Sequence, residues 1–438
     1  MKEEHVTHSN KLSSLVTAMD QFITAFLKGA SEKNFQQLAM EFLPQYSALI
    51  SKAGGMLSPE TLSAIHYALQ EGRLSDVMNQ IQEAISAAEN AVLDVAVIGE
   101  SGTGKSSFIN AIRGLGHEEA ESADVGTVET TMYKTPYQHP KYTNVIFWDL
   151  PGTGTPNFHT DTYLDRVGFA NYDFFIIISS SRFSVNDALL AQKIKDAGKK
   201  FYFVRTKVDS DLYSEERTRP RTFRKEQVLQ RIRDYCLSNL TDIGVSEPRI
   251  FLISNFDLDA FDFPKLEETL LKELPGHKRH MFALLLPNIS DASIELKKHF
   301  LQEKICLEAL KSGAVSFIPF MPFISGFDLP QQEQCLKDYR SYFGLDDKSI
   351  KEIAERLETP LEDIKGQLKC LDFWSFVKDD SIIARARSAG EAFCSVKGGL
   401  GSSVVQALKV YYTRTQFLNV VVEDAKHLLR KMETVNIA

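Results

Sequence analysis

Gly99-Glu100-Ser101-Gly102-Thr103-Gly104-Lys105-Ser106 is a complete G-x-x-x-x-G-K-[ST] loop. The mostly apolar run Leu93–Ile98 precedes it and the helix-like stretch Ser107–Arg113 follows, the strand–loop–helix setting that this spacing requires. Its glycines let the backbone wrap a polyphosphate, with amide N–H groups and a helix N-terminus turned towards the negative charge. Lys105 is expected to neutralise the β- and γ-phosphates and Ser106 to offer its hydroxyl to Mg2+. The loop from Gly99 through Ser107 is the expected phosphate site.

A phosphate loop alone does not distinguish ATP from GTP. The apolar strand Phe201-Tyr202-Phe203-Val204-Arg205 runs into Thr206-Lys207-Val208-Asp209. A carboxylate at 209 can accept two hydrogen bonds from the N1 and N2 donors of guanine, a pair adenine does not offer, and a buried carboxylate left unpaired is costly. Asp209 is therefore the expected specificity residue, with the Lys207 stem along the base plane; a charged strand end is the alternative reading. The commoner GTPase pattern has Asn where Thr206 stands. Ser254-Asn255, after the run Arg249–Ile253, occupies the place of a loop that closes over a guanine edge, a weak signal by itself.

Between these lies Asn144–Leu150 followed by Pro151-Gly152, a strand ending in Asp-x-x-Gly. Asp149 is expected to hold Mg2+ through water and the Gly152 amide to sense the γ-phosphate. Upstream, Asp124–Thr131 reads as the other switch. Thr127, Thr130 and Thr131 compete as the Mg2+ ligand, with Thr131 favoured and Thr130 next. Many small GTPases place Gln directly after Asp-x-x-Gly to orient the attacking water; here Thr153 follows Gly152.

Further from the loop, the chain sorts into three regions. Residues 12–90 read as helical, with Leu15, Met19, Phe22 and Phe26 on one stripe and Leu74, Val77, Ile81 and Ile85 on another. Ser58-Pro59-Glu60 is a helix start. Across 91–275, apolar runs at 93–98, 145–149, 173–178, 201–204 and 250–253 alternate with helical stretches. That alternation predicts an α/β domain: a mostly parallel sheet, helices on both faces, and ligand at the carboxyl ends of the strands. Residues 276–438 return to helix and are expected to pack with the N-terminal helices.

At 438 residues the chain is long enough for two or three domains. A net charge of −8 argues against nucleic acid as a partner. The five cysteines show no metal-ligand spacing, so reduced thiols are expected; palmitoylation of Cys370 or Cys394 is a minor alternative. The N-terminus shows no secretory signal, and Lys2 stands where myristoylation needs glycine. No apolar run reaches the ~18 residues of a spanning helix. Three surfaces are candidates for lying on a membrane: the 12–28 helix, 314–327 and 383–403. For a helical apolar stripe in any of them, core packing is the commoner role.

In this order the motifs resemble the interferon-inducible immunity-related GTPases. Gly99–Phe108, Val128–Met132, Trp148–Gly152, Tyr172–Phe175, Phe201–Asp211, Tyr339–Asp347 and Glu423–Lys426 carry the resemblance, which runs from about residue 60 to the C-terminus and looks closest to the family's D-type branch. It implies a Ras-like GTPase domain flanked by an all-α domain built from both terminal regions. It also implies GTP and GDP as substrate and product, Mg2+ as cofactor, and Lys105, Glu129 and Thr131 as the catalytic set. Lys105 places the chain in the family's Lys class, associated with effectors. Those are dynamin-like, self-associate through their GTPase domains in the GTP state, and act with other immunity-related GTPases on intracellular membranes around vacuolar pathogens. A cytoplasmic protein with peripheral association to endomembranes or such vacuoles is the corresponding expectation. Glu129 is linked to activation across the dimer. Val125 departs from a frequent Thr. Two other functions remain open: a GTP-gated scaffold or regulator with negligible turnover, for which the missing Gln speaks, and an ATPase or nucleoside kinase, against which Asp209 speaks.

Overall fold

The computed structural model describes residues 2–50, 55–125, 133–140, 143–152, 163, 167–180, 183–274, 276–288, 290–315, 317–318, 328–394 and 400–437; the side chains of 2–16, 276–277, 285, 390–394, 400–403, 433 and 435–437 lie outside that description. The chain divides into two units, one of Ala91–Leu274 with Leu285–Ile289, the other of Met1–Asn90, Pro275–Leu284 and Ser290–Ala438.

The first unit is built on β1 (Leu93–Ile98), β2 (Thr135–Gln138), β3 (Val145–Asp149), β4 (Phe174–Ser179), β5 (Lys200–Arg205) and β6 (Ile250–Leu252). They form one sheet in the order β2-β3-β1-β4-β5-β6. Only β2 runs antiparallel, along β3; the other pairings are parallel. Every residue of β4 is buried, as is all of β1 except Asp94, which is why these strands read as continuous apolar runs rather than alternating ones. Ala96, Ile98, Phe175 and Ile177 share a core with Leu190, Ala191 and Ile194 of the helix Val185–Asp196 and with Cys236 and Leu240 of Lys225–Asp242. The intervening residues Val95, Val97 and Ile176 are also fully buried and point to the opposite face. Phe108 and Phe263, from the helices Lys105–Ile112 and Phe263–Glu273, pack against each other at 6.2 Å.

The strand order reverses direction between β1 and β4. Chain leaves β1 towards β3 on one side and β4 towards β5 on the other, so the carboxyl ends of β1 and β4 flank a topological switch point, the place where open α/β sheets bind ligands. The phosphate loop emerges there. β2, absent from the sequence reading, is a four-residue edge strand of alternating half-buried and exposed residues; Pro136 is tolerated because it lies on an edge.

The second unit is all helical and draws on both ends of the chain. The helix Asp291–Val315 packs along the C-terminal helix Leu400–Ile437 and against the N-terminal helices Lys2–Ser31 and Leu74–Glu89. Met19, Phe22, Ile23, Phe26 and Leu27 are buried, with Phe22 and Phe26 set against Phe42 at 5.4 and 5.8 Å. From Met19 onward, then, the N-terminal stripe is spent in the core. Residues 319–327 and 395–399, within the other two membrane candidates, lie outside the described residues. Among the described residues, no helix is long and apolar enough to cross a membrane. Ser58 caps Pro59–Gln70 by accepting from the Thr61 amide at 3.1 Å. Cys236, Cys306 and Cys370 are buried free thiols and Cys335 is half-buried.

Candidate functional site

Two glycines of the phosphate loop are demanded for different reasons. A Cβ on Gly99 would stand 2.1 Å from the Ile178 carbonyl oxygen of β4, a backbone atom that cannot yield. Gly104, at φ +92°, turns the chain into Lys105–Ile112 in the left-handed region. The Lys105 ammonium lies across the loop mouth, donating to the carbonyls of Gly99 and Glu100 at 3.2 and 3.1 Å. The Thr103 hydroxyl donates to the Glu100 carbonyl at 2.8 Å. Ser101 and Gly102 are exposed; Ser106 and Ser107 are half-buried in the first turn of the helix.

β3 delivers Asp149, the residue expected on the metal side. Its pairing with β1 sets Asp149 beside Val97, and the Leu150 amide bonds the Val97 carbonyl at 3.0 Å. Asp149 is fully buried and accepts a 2.7 Å bond from the Ser106 hydroxyl. A serine hydroxyl and a carboxylate brought together at a phosphate loop are the hard oxygen donors that suit Mg2+. Gly152 is buried. Gly126–Met132 and Thr153, hence Glu129, Thr127, Thr130 and Thr131, lie outside the described residues. Val125 is exposed.

The loops expected to border the base converge on the phosphate loop by one repeated device. Lys207 Nζ donates to the Gly102 carbonyl at 2.8 Å, Thr206 Oγ1 to the Thr103 carbonyl at 2.6 Å, and Asn255 Nδ2 to the Gly104 carbonyl at 3.1 Å. Three consecutive carbonyls are thus held by side chains from the ends of β5 and β6. In a trans peptide the N–H opposes the carbonyl, so the outward carbonyls of Thr103 and Gly104 turn the amides of Gly104 and Lys105 the other way, into the loop. Thr206, which departs from the commoner Asn, is fully buried and supplies the tether with a hydroxyl. Lys207 sits at φ +58°, ending the strand abruptly and starting the helix Val208–Thr218, whose first turn carries Asp209 half-buried. Ser254 is fully buried and accepts from the Phe256 amide at 3.2 Å.

Three charged residues were not singled out in the sequence. Asp187 is buried and forms a reciprocal cap with Ser184 on Val185–Asp196. Burial pushes its carboxyl up to about 6, and the Glu100 charge adds to the shift. The spacing Ser184-x-x-Asp187 was the available signal. Arg205, at the end of β5, is buried against the Thr206 carbonyl and Asp211; nothing in an apolar strand run marks such a residue.

The model of the family described as interferon-inducible GTPase (IIGP) matches residues 58–432. The chain is 44% identical over 376 residues to interferon-gamma-inducible GTPase 10 of Mus musculus, covering 86% of this chain and 90% of that protein. It is 41% identical over 377 residues to interferon-inducible GTPase 1 of the same species, covering 86% and 91%. Among solved structures, Toc33 from Arabidopsis thaliana in complex with Mg2+ and GMPPNP aligns over 47% of this chain and 91% of that chain, with 15% identity and a TM-score of 0.31.

Proposed function

We propose that this chain, which belongs to the interferon-inducible GTPase family, uses GTP to drive its own association and acts in that state at intracellular membranes. Its reaction is the hydrolysis of GTP to GDP and phosphate. The observation that carries the nucleotide reading is the tethering of Gly102, Thr103 and Gly104 by Lys207, Thr206 and Asn255. It presets the inward amides and ties base and phosphate loops into one frame, so the backbone of the loop need not reorganise when the nucleotide arrives.

Within that frame Lys105 exchanges two carbonyl partners for phosphate oxygens, and its charge answers the charge that builds between the β- and γ-phosphates. Ser106 and Asp149 would hold Mg2+, with Thr131 as the switch-loop ligand; when bound, the ion supplies charge neutralisation at the phosphates. Asp209 reads the guanine N1 and N2 donors, Ser254 and Asn255 border the base, and the Gly152 amide senses the γ-phosphate. Glu129 acts across a dimer of GTPase units.

Self-association, joint action with other immunity-related GTPases, and a cytoplasmic location with peripheral attachment to endomembranes or pathogen-containing vacuoles complete the reading. Specific GTPase activity measured against protein concentration tests it: activity should rise with concentration, and a constant value would rule out assembly-driven turnover. Thr153 in the place of a water-orienting Gln favours the scaffold reading instead, and single-turnover hydrolysis separates the two. Asp209→Asn should move preference from guanine to xanthine nucleotides. Flotation with liposomes should occur in the GTP state; no flotation in either nucleotide state would leave recruitment to protein partners.

A further inference from the structure

Asp209 can discriminate only if its carboxylate is aimed, and its immediate surroundings offer little to aim it. The helix Val208–Thr218 begins at Lys207 with no side-chain cap. Lys207 is held in the left-handed region without being glycine, a conformation that costs about 1 kcal/mol and persists only where neighbours impose it. Two carboxylates, Asp209 and Asp211, share the first turn and repel one another.

Arg205 answers all three conditions. One arm of its guanidinium donates to the Thr206 carbonyl at 2.5 Å and the other pairs with Asp211 Oδ2 at 2.5 Å. The Arg205 side chain is only 7% exposed and that of Asp211 37%, so solvent reaches the pair from the Asp211 side alone. Its own backbone is fixed in the sheet, the Arg205 carbonyl accepting from the Ile253 amide at 2.9 Å. The two contacts fall on either side of Asp209, three residues before it and two after. Glu215, the next acid along the helix to form ion pairs, is taken up by Arg219 and Arg231 at 2.8 and 3.2 Å. Lysine, a point charge with one nitrogen, cannot span a carbonyl and a carboxylate with the same fork.

We propose that Arg205 and Asp211 are positioning residues for base selection: their two-armed pair fixes the backbone on both sides of Asp209, so that both of its oxygens meet guanine. The proposal rests on the guanine reading of Asp209 and adds what aims it. Burial raises the Asp211 carboxyl, and the Arg205 charge opposes that rise.

The test is the ratio of GDP to IDP affinity at equilibrium, because IDP keeps the N1 donor and lacks the 2-amino group. The parent should favour GDP by about 10- to 100-fold, one bond to a charged acceptor. Arg205→Lys and Asp211→Asn should each shrink that ratio roughly tenfold, and the double variant should shrink it no further, as expected of two residues acting as one pair. Equal losses of GDP and IDP affinity, with the ratio kept, would mean the pair merely supports the fold and would overturn the proposal, as would additive losses in the double variant. Should Arg205→Lys not fold, Asp211→Asn, which keeps shape and one acceptor, carries the test. Asp209→Asn is the control. If it fails to shift preference to xanthine nucleotides, the guanine reading itself is lost; if it shifts while the GDP:IDP ratio of the pair variants is unchanged, only the positioning role falls.

Discussion

Thr206→Val isolates the tether between base and phosphate loops. The replacement is nearly the same shape, so it opens no cavity, and it removes one donor. That hydroxyl has zero exposure and bonds the Thr103 carbonyl at 2.6 Å, with the Ser179 carbonyl further off at 3.3 Å. Ser179 keeps its bond from the Thr206 amide at 2.8 Å, so the loss falls on Thr103. A net hydrogen-bond loss of this kind costs about 1–2 kcal/mol. In a unit of this size each kcal/mol lowers the melting temperature by about 2–4 °C, giving an expected drop of roughly 2–8 °C. The same loss releases the Thr103 carbonyl and with it the inward amide of Gly104, so GDP affinity should weaken by about 5- to 30-fold. Thermal melting with and without GDP, together with fluorescent-GDP titration, measures both. If melting falls while GDP affinity holds, the bond is structural only and the preset-loop argument is refuted; if neither changes, the hydroxyl does nothing.

Three further substitutions test the site and the helical unit. Gly99→Ala should be lost to folding or to GDP binding, at about 3 kcal/mol or more, because its Cβ meets the Ile178 carbonyl at 2.1 Å; Gly102→Ala, with open space and φ +79°, should lose only about 1–2 kcal/mol, as read by melting of the two variants. In the helical unit Glu303 is buried, accepts from the Met56 amide at 2.6 Å and from the Tyr46 hydroxyl, and burial lifts its carboxyl to about 7. The folded state then binds the proton more tightly than the unfolded one between its ordinary value and about 7, so this group's contribution to stability falls as pH rises through that window. Glu303→Gln should therefore gain on the parent by up to about 3 kcal/mol above pH 7 and match it near pH 4.5. His280 has the opposite slope: burial holds it down to about 3, its contribution is lost as pH falls below 6.5, and the variant should show that acid loss more steeply than the parent in melts across pH.

The fold was legible where burial on both faces made strands continuous apolar runs, as in β1, β4 and β5, and where a glycine loop followed one of them. It was illegible where a residue's role is set by a distant partner. Arg205 reads as a polar end to an apolar strand; its burial depends on Asp211, six residues later in a helix whose charged sequence, Asp209 to Arg217, shows little apolar periodicity. The helix Asp291–Val315 buries Lys297, Lys298, Gln302 and Glu303, so polar residues sit inside the period that would have marked it as central. β2 is too short and too polar to declare itself. Thr206 reads as a departure from a motif and turns out to donate to the phosphate loop.

That last point bears on how the site works. A base-recognition loop and a phosphate loop that merely lay side by side would bind their two ends of the nucleotide independently. Here the donors on Thr206, Lys207 and Asn255 end on the carbonyls of Gly102, Thr103 and Gly104, and each peptide so held sets an amide on its other side. Lys207 belongs to both systems: its backbone turn launches the helix that bears Asp209, and its ammonium holds Gly102. Misplacing Asp209 by loosening this turn therefore has to loosen the phosphate loop as well, whereas Asp211→Asn leaves the Arg205 bond to the Thr206 carbonyl in place and loosens only the far side of Asp209. The two classes of variant are separable by inorganic triphosphate, which has no base. Thr206→Val should weaken triphosphate binding along with GDP, while Asp211→Asn should weaken GDP and leave triphosphate unchanged; equal behaviour of both variants towards triphosphate would contradict this division of labour.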